Sequence, residues 1–368
     1  MSGFRYIDDS GQLESLAGEL AAHERIALDT EFVRERTYYP LLCLIQVASP
    51  AGIALIDTLA VEDLAPLGEL LADTHVTKVL HAARQDMEIL LARTGMLPRP
   101  VFDTQVATAL LGHGSQVSYA ALVEALLGAR LAKAHTRTDW ARRPLSPEQQ
   151  AYAADDVRYL LPLETGLREE LSSRGRTDWV AAELELLADE QRYRTDPGDA
   201  WRRLKGLHRL EQHAHALVRS LAAWRERQAM RDDRPRQWIL RDADLLELAR
   251  SAPGAEGELA GLGGLRGGFV RRHGAELVAL IASARAVPAP EAALSLPPRL
   301  DAGQKDLLAR LAGEVRACAA RHELNPELLA TRGDLERLVR GDADLAVLKG
   351  WRRRLIGDRL LEIFRNAG

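Results

Sequence analysis

Apolar and polar positions alternate in two registers along this chain. Over the first 110 residues, short apolar runs bounded by Gly, Pro and Ser read as strands: Arg25–Phe32, Leu41–Ala48, Gly52–Asp57, Val76–His81 and Val101–Asp103. Ser49-Pro50-Ala51-Gly52 is the turn between the second and third runs. Helical spacing intervenes, most clearly over Ala82–Thr94, which Pro98 and Pro100 terminate. From Thr104 onward nearly everything has helical periodicity. Strands interleaved with helices predict an α/β domain, a mixed sheet with flanking helices, followed by all-α segments.

The helical tail repeats itself. Leu262-Gly-Gly-Leu265-Arg266-Gly267 aligns with Leu345-Ala-Val-Leu348-Lys349-Gly350, and the register runs on through Arg271/Arg354, Gly274/Gly357 and Leu277/Leu360. Upstream, Pro235, Asp244-Leu245 and Leu248 parallel Pro326, Asp334-Leu335 and Leu338. A period of roughly 80–90 residues is long enough for two small domains of one type. Turn-rich Arg194–Asp199 and the Pro-rich stretch over 286–298 mark the junctions. The division expected is 1–195, 202–286 and 298–368.

Composition narrows the class. With 46% hydrophobic and 28% charged residues in 368, the chain is globular and expected to hold two or three domains. No apolar run is long enough to span a bilayer, and the polar start MSGFRYIDDS lacks a signal-peptide core. Two distant cysteines, Cys43 and Cys318, fit a reducing cytoplasm and no disulfide scaffold. Zinc-type Cys/His spacings and a Walker loop are absent, so no nucleotide cofactor is expected. The net charge of −4 conceals a gradient: residues 1–100 carry −7 and residues 201–240 carry +6. Acids that hold cations, followed by bases that hold phosphates, suit a metal-dependent nucleic-acid enzyme, although ordinary surface variation gives such gradients too.

Three acidic elements carry the candidate chemistry. Asp29-Thr30-Glu31 lies in an apolar strand, where residues two apart share a face. Two like charges side by side there call for a cation, and hard divalent ions favour carboxylate oxygens. His81-Ala-Ala-Arg-Gln-Asp86 puts a second acid in the first turns of a helix. Tyr152-Ala-Ala-Asp155-Asp156 puts a phenol and a carboxylate four apart on one helix face. Taken singly, each element also fits a solvated strand end or a helix acid.

In order, the three elements resemble the DEDD 3′→5′ exonuclease superfamily, and Tyr152 resembles its DEDDy branch; the sister branch's histidine position is Ala151 here. Phe102-Asp103-Thr104-Gln105, Thr138-Asp139-Trp140-Ala141-Arg142-Arg143-Pro144-Leu145 and Tyr159-Leu160-Leu161-Pro162 look like the ribonuclease D family within it. The repeat, entered by Trp201-Arg202-Arg203-Leu204-Lys205-Gly206, looks like two HRDC domains. Asp155 departs from the small or neutral residue more usual in the family.

The resemblance implies a ribonuclease H-like catalytic fold and a two-metal exoribonuclease. Asp29, Glu31, Asp86 and Asp156 would hold two Mg²⁺ or Mn²⁺ ions, Asp29 bridging both, and Tyr152 would position the attacking water or take its proton. The implied partner is RNA, with precursor tRNA 3′ ends the expected substrate and no membrane involved. Candidate substrate contacts are Phe32, for base stacking; His81; and the basic stretch Lys133, Arg137, Arg142 and Arg143. Asp103 reads as a helix cap or a support for the acids, not a ligand. Arg202, Arg203, Lys205, Arg209, Lys349, Arg352, Arg353 and Arg354 are candidate RNA-facing bases of the repeat. On the residues alone, a DNA exonuclease and a non-catalytic nucleic-acid-binding scaffold stay open as alternatives.

Overall fold

A computed structural model describes residues 3–131, 138–211, 214–286 and 299–367. The chain divides into two compact units. The first comprises 1–33, 42–193 and 300–368; the second comprises 34–41 and 194–299.

The first unit is built on a six-stranded mixed sheet with order β1-β4-β3-β2-β5-β6. The strands are β1 (Phe4–Ile7), β2 (Arg25–Val33), β3 (Leu41–Ser49), β4 (Gly52–Ile56), β5 (Thr77–Leu80) and β6 (Val101–Asp103). β3 and β4 form the antiparallel hairpin, Ser49 facing Gly52, as the turn sequence predicts. β1 with β4, β2 with β5 and β5 with β6 pair in parallel. The nearly continuous apolar run of β3, interrupted by the buried Gln46, is explained by burial of Leu42–Ala48 on both faces. β1 was not expected: Phe4-Arg5-Tyr6-Ile7 is a half-exposed edge strand whose polar neighbours hide it.

One face of the sheet is covered by α1 (Ser10–Ala21), α2 (Ala65–Ala72) and α3 (Arg84–Thr94). Ile26 and Leu28 of β2 point into this layer with Leu13, Leu16, Leu70 and Leu90. Ala27 points the other way, into the layer made by α4 (Thr104–Leu111), α5 (Tyr119–Leu127), α6 (Pro147–Arg158), α7 (Leu160–Ser173) and α8 (Thr177–Leu187). By strand alternation Asp29 and Glu31 continue the Ala27 side.

The second unit holds α9 (Ala214–Arg231), α10 (Arg236–Ile239), α11 (Asp242–Ser251), α12 (Glu256–Ala260) and α13 (Gly267–Arg285) around Trp224, Leu217, Leu221, Leu245 and Leu277. It also takes in 34–41, the segment between β2 and β3: Asp233 accepts hydrogen bonds from the Tyr38 and Tyr39 amides at 2.9 and 3.0 Å.

Beyond residue 300 the helix order recurs as α14 (Ala302–Arg321), α15 (Pro326–Leu329) and α16 (Arg332–Val339). It closes with α17 (Gly350–Arg352), a π turn over Arg353–Gly357 and α18 (Asp358–Arg365). These helices share one apolar core with α4–α8. Trp179 stacks on Trp351 at 4.6 Å, and Glu183 accepts from Arg352 and from the Trp351 indole. No helix among the described residues is long and apolar enough to cross a membrane.

Candidate active site

Three elements converge where β2 ends. Asp29 and Glu31 come from its later half, and α6 lies across that face, anchored by the buried Ala153, Ala154 and Val157. Its start is fixed by a capping box: the Gln149 amide donates to Ser146 Oγ at 3.2 Å, and the Ser146 amide donates to the Gln149 side chain at 2.8 Å. α6 therefore delivers Tyr152 and Asp156 on one face. Tyr119 secures its far end, its hydroxyl donating to the Asp155 carbonyl at 3.1 Å and accepting from the Tyr159 amide at 3.0 Å.

Asp86 comes from the first turn of α3. The turn before it is held by Asp103, whose carboxylate accepts from the Ala82 and Ala83 amides at 3.1 and 2.8 Å. Asp103 also caps α4 through Gln105 and Val106, so one carboxylate fixes two helix starts. This confirms its expected capping part and adds the second helix. Ala82 takes φ 57°, a left-handed conformation that the double anchor sustains. Thr30, on the opposite strand face from its acidic neighbours, donates to Asp86.

Carboxylate oxygens of Asp29, Glu31 and Asp156 all lie within 4.8 Å of one another. Burial raises Asp29 well above the usual carboxylate range, and the charges of Asp86, Asp156 and Glu31 push it further. Burial, then Asp156 and Asp86, pushes Glu31 up to about 8. Asp156 is raised by burial and by Asp155, and Asp86 chiefly by burial. Tyr152 rises through burial and the negative charges of Asp156, Glu31 and Asp29, which places its phenol in the field of the acids. Among the described residues no lysine or arginine forms an ion pair with any of the four acids. An all-carboxylate, half-to-fully buried donor set without a protein counter-charge fits hard divalent cations.

The expected substrate contacts fare differently. Arg143 is not available to phosphate: its guanidinium grips Asp57 at 2.5 and 2.6 Å and donates to the carbonyls of Trp140, Arg142 and Cys43. It ties the segment before α6 to the sheet. His81 is likewise spent, with Nδ1 2.8 Å from Thr104 Oγ1 and Nε2 2.9 Å from the Val117 carbonyl. Phe32 is half-buried and packs on the α1–α3 side of the core. Arg142 is exposed. Lys133 and Arg137 lie outside the described residues. Of the bases in the repeat, Arg352 is committed to Glu183 and the Leu328 carbonyl, while Arg203 pairs with Glu226. Sequence reasoning missed Thr30 and Tyr119. Thr30 sits inside a recognised motif and Tyr119 outside all of them, and the partner of each is distant in sequence.

Residues 4–172 match the family described as 3′-5′ exonuclease, and residues 214–281 match the HRDC domain. Ribonuclease D of Acidiphilium cryptum is 46% identical over 97% of this chain and 92% of its own length. Ribonuclease D of Escherichia coli K12 is 36% identical, covering 97% of both chains. The crystal structure of Escherichia coli RNase D, described as an exoribonuclease involved in structured RNA processing, superposes with a TM-score of 0.89 at 35% identity over 99% of each chain.

Proposed function

The chain belongs to the ribonuclease D family and is a 3′→5′ exoribonuclease, and from that premise we propose that Asp29, Glu31, Asp86 and Asp156 hold two divalent cations, Mg²⁺ or Mn²⁺, for stepwise removal of 5′-mononucleotides. The observation that carries this reading is the convergence of Asp29, Glu31 and Asp156 within 4.8 Å, with Asp86 in their field and, among the described residues, no basic side chain paired with them. Bound cations would acidify a water and offset charge on the reacting phosphodiester. The protein's own part is placement. β2 and α6 hold the acids rigidly, and Tyr152 orients the attacking water through its hydroxyl. Water oxygen bonds to the terminal phosphorus, the bond from that phosphorus to the 3′ oxygen of the preceding nucleotide breaks, and that oxygen leaves as a hydroxyl.

The substrate we propose is structured RNA with a single-stranded 3′ end, precursor tRNA in particular. The description of the Escherichia coli relative supports this. We read the chain as the three domains 1–195, 202–286 and 298–368, the third a second HRDC-like domain. The matched helix orders α9–α10–α11 and α14–α15–α16 support that reading.

A 5′-labelled RNA with a short unpaired 3′ tail tests the proposal. Shortening from the 3′ end in Mg²⁺ or Mn²⁺, abolished by EDTA and by Asp29→Asn, is the expected result. An intact tail with folded, metal-supplied protein would refute it.

A further inference from the structure

Trp238 on α10 is 62% exposed, whereas the other exposed large apolar side chains reach only 39–44%. An indole buries a large area when it can, so leaving one in water gains nothing for folding. The helical framework does not demand it. At the matching position of the repeat, Leu328 on α15 is partly buried and packs against the core of its own unit. Trp224 fills the core of the second unit without help from Trp238.

Trp238 lines an open groove of about 590 Å³, with Arg234, Arg241, Arg266, Phe269 and the Gly263–Gly264 backbone. A Cβ at Gly264 would sit 2.0 Å from Asp244 Oδ1, so a side chain there would displace that carboxylate. Asp244 is the one acid lining the groove, and Arg241 already satisfies it at 2.7 and 3.1 Å. Arg234 and Arg266, both exposed, leave the groove positive around a flat aromatic face. Guanidinium groups flanking a solvent-facing indole match a polyanion whose repeating unit carries a planar ring.

We propose that this groove binds an unpaired stretch of RNA, one base stacked on Trp238 and the neighbouring phosphates held by Arg234 and Arg266. The inference rests on the exoribonuclease reading and adds a binding site on the second unit that is distinct from the acids.

Point variants test it in the full chain, because the helices after residue 300 share a core with the catalytic sheet and truncation would disturb both. Anisotropy of a fluorescein-labelled single-stranded RNA is read in EDTA, where hydrolysis is blocked. Trp238→Ala should weaken binding about 10-fold, and Trp238→Phe should recover most of that, since stacking needs only a π face. Arg234→Ala should lower the slope of log affinity against log salt by about one, while Trp238→Ala leaves the slope unchanged. Wild-type affinity for Trp238→Ala, or a Trp238→Phe variant as weak as alanine, overturns the site, as does equal weakening towards a duplex of the same sequence. Dinucleotide hydrolysis in Mg²⁺ keeps the two claims apart. A wild-type protein that cannot cleave the dinucleotide fails the exoribonuclease reading, whereas cleavage alongside an indifferent Trp238 fails only the groove.

Discussion

Replacing Glu31 with Gln should make the metal-free protein more stable while destroying its activity. Glu31 shares a 4.8 Å neighbourhood with Asp29 and Asp156. Two unit charges at that separation repel by about 3.5 kcal/mol at an effective dielectric of about 20. The titration route gives a similar figure. The Glu31 carboxyl ordinarily titrates at 4.5 and is pushed to about 8 by burial and by Asp156 and Asp86. Near pH 7 it therefore keeps its proton about 2.5 pH units above its ordinary range, a cost of about 3 kcal/mol. The sign follows from the direction of the shift. A carboxyl raised on folding favours the folded state fully below about 4.5, and that contribution is lost as pH rises through about 8. In EDTA the wild-type melting temperature should fall between those limits, and Glu31→Gln should flatten the fall. Near neutral pH the variant should melt about 6 °C higher, at about 2 °C per kcal/mol for a unit of this size. Adding Mn²⁺ should raise the wild type more than the variant, because a cation that binds only the folded form stabilises it. A variant that melts at or below the wild type in EDTA would refute the claim that these carboxylates are held against mutual repulsion.

Other outcomes follow from the contacts around the site. Tyr152→Phe should lower kcat by about 10²-fold and leave Mn²⁺ affinity unchanged by calorimetry, because in the proposed mechanism the phenol would orient water and would not hold a cation. Arg143→Ala should destabilise by about 1.5–3 kcal/mol in urea, since Asp57 loses its counter-charge and keeps only the Tyr6 hydroxyl and the Leu59 amide; Arg143→Lys should recover little, the five-donor fork being lost. Asp103→Ala should cost about 2–4 kcal/mol, α4 losing its cap and the turn before α3 losing the acceptor of its amides, and should lower activity through displacement of Asp86. Glu183→Ala should speed hydrogen exchange in the helices after residue 300 ahead of those in the second unit, because Arg352 and the Trp351 indole lose their acceptor.

What could be read along the chain and what could not divide on a physical line. Strands β2 to β6 were visible because each is an apolar run between turn residues, and the acids because a carboxylate inside such a run is conspicuous without any partner in view. β1 was hidden because four residues, two of them Arg and Tyr, carry too little alternation to mark an edge strand. Arg143 and His81 were assigned to substrate on residue type alone. Their true employment depends on Asp57, Thr104 and four backbone carbonyls, and a local pattern cannot locate the distant ones among these. The same limit concealed the shared core between α14–α18 and the sheet domain, and the capture of 34–41 by the second unit. An amphipathic face declares that it must be covered, not by what. The acids of the site are the exception that makes function legible. Other enclosed carboxylates among the described residues are answered by a base: Asp57 by Arg143, Glu226 by Arg236, Glu183 by Arg352. Among the described residues no basic side chain answers Asp29, Glu31 or Asp156. Leaving these acids in mutual repulsion beside satisfied carboxylates is what the proposed cations would require of the fold.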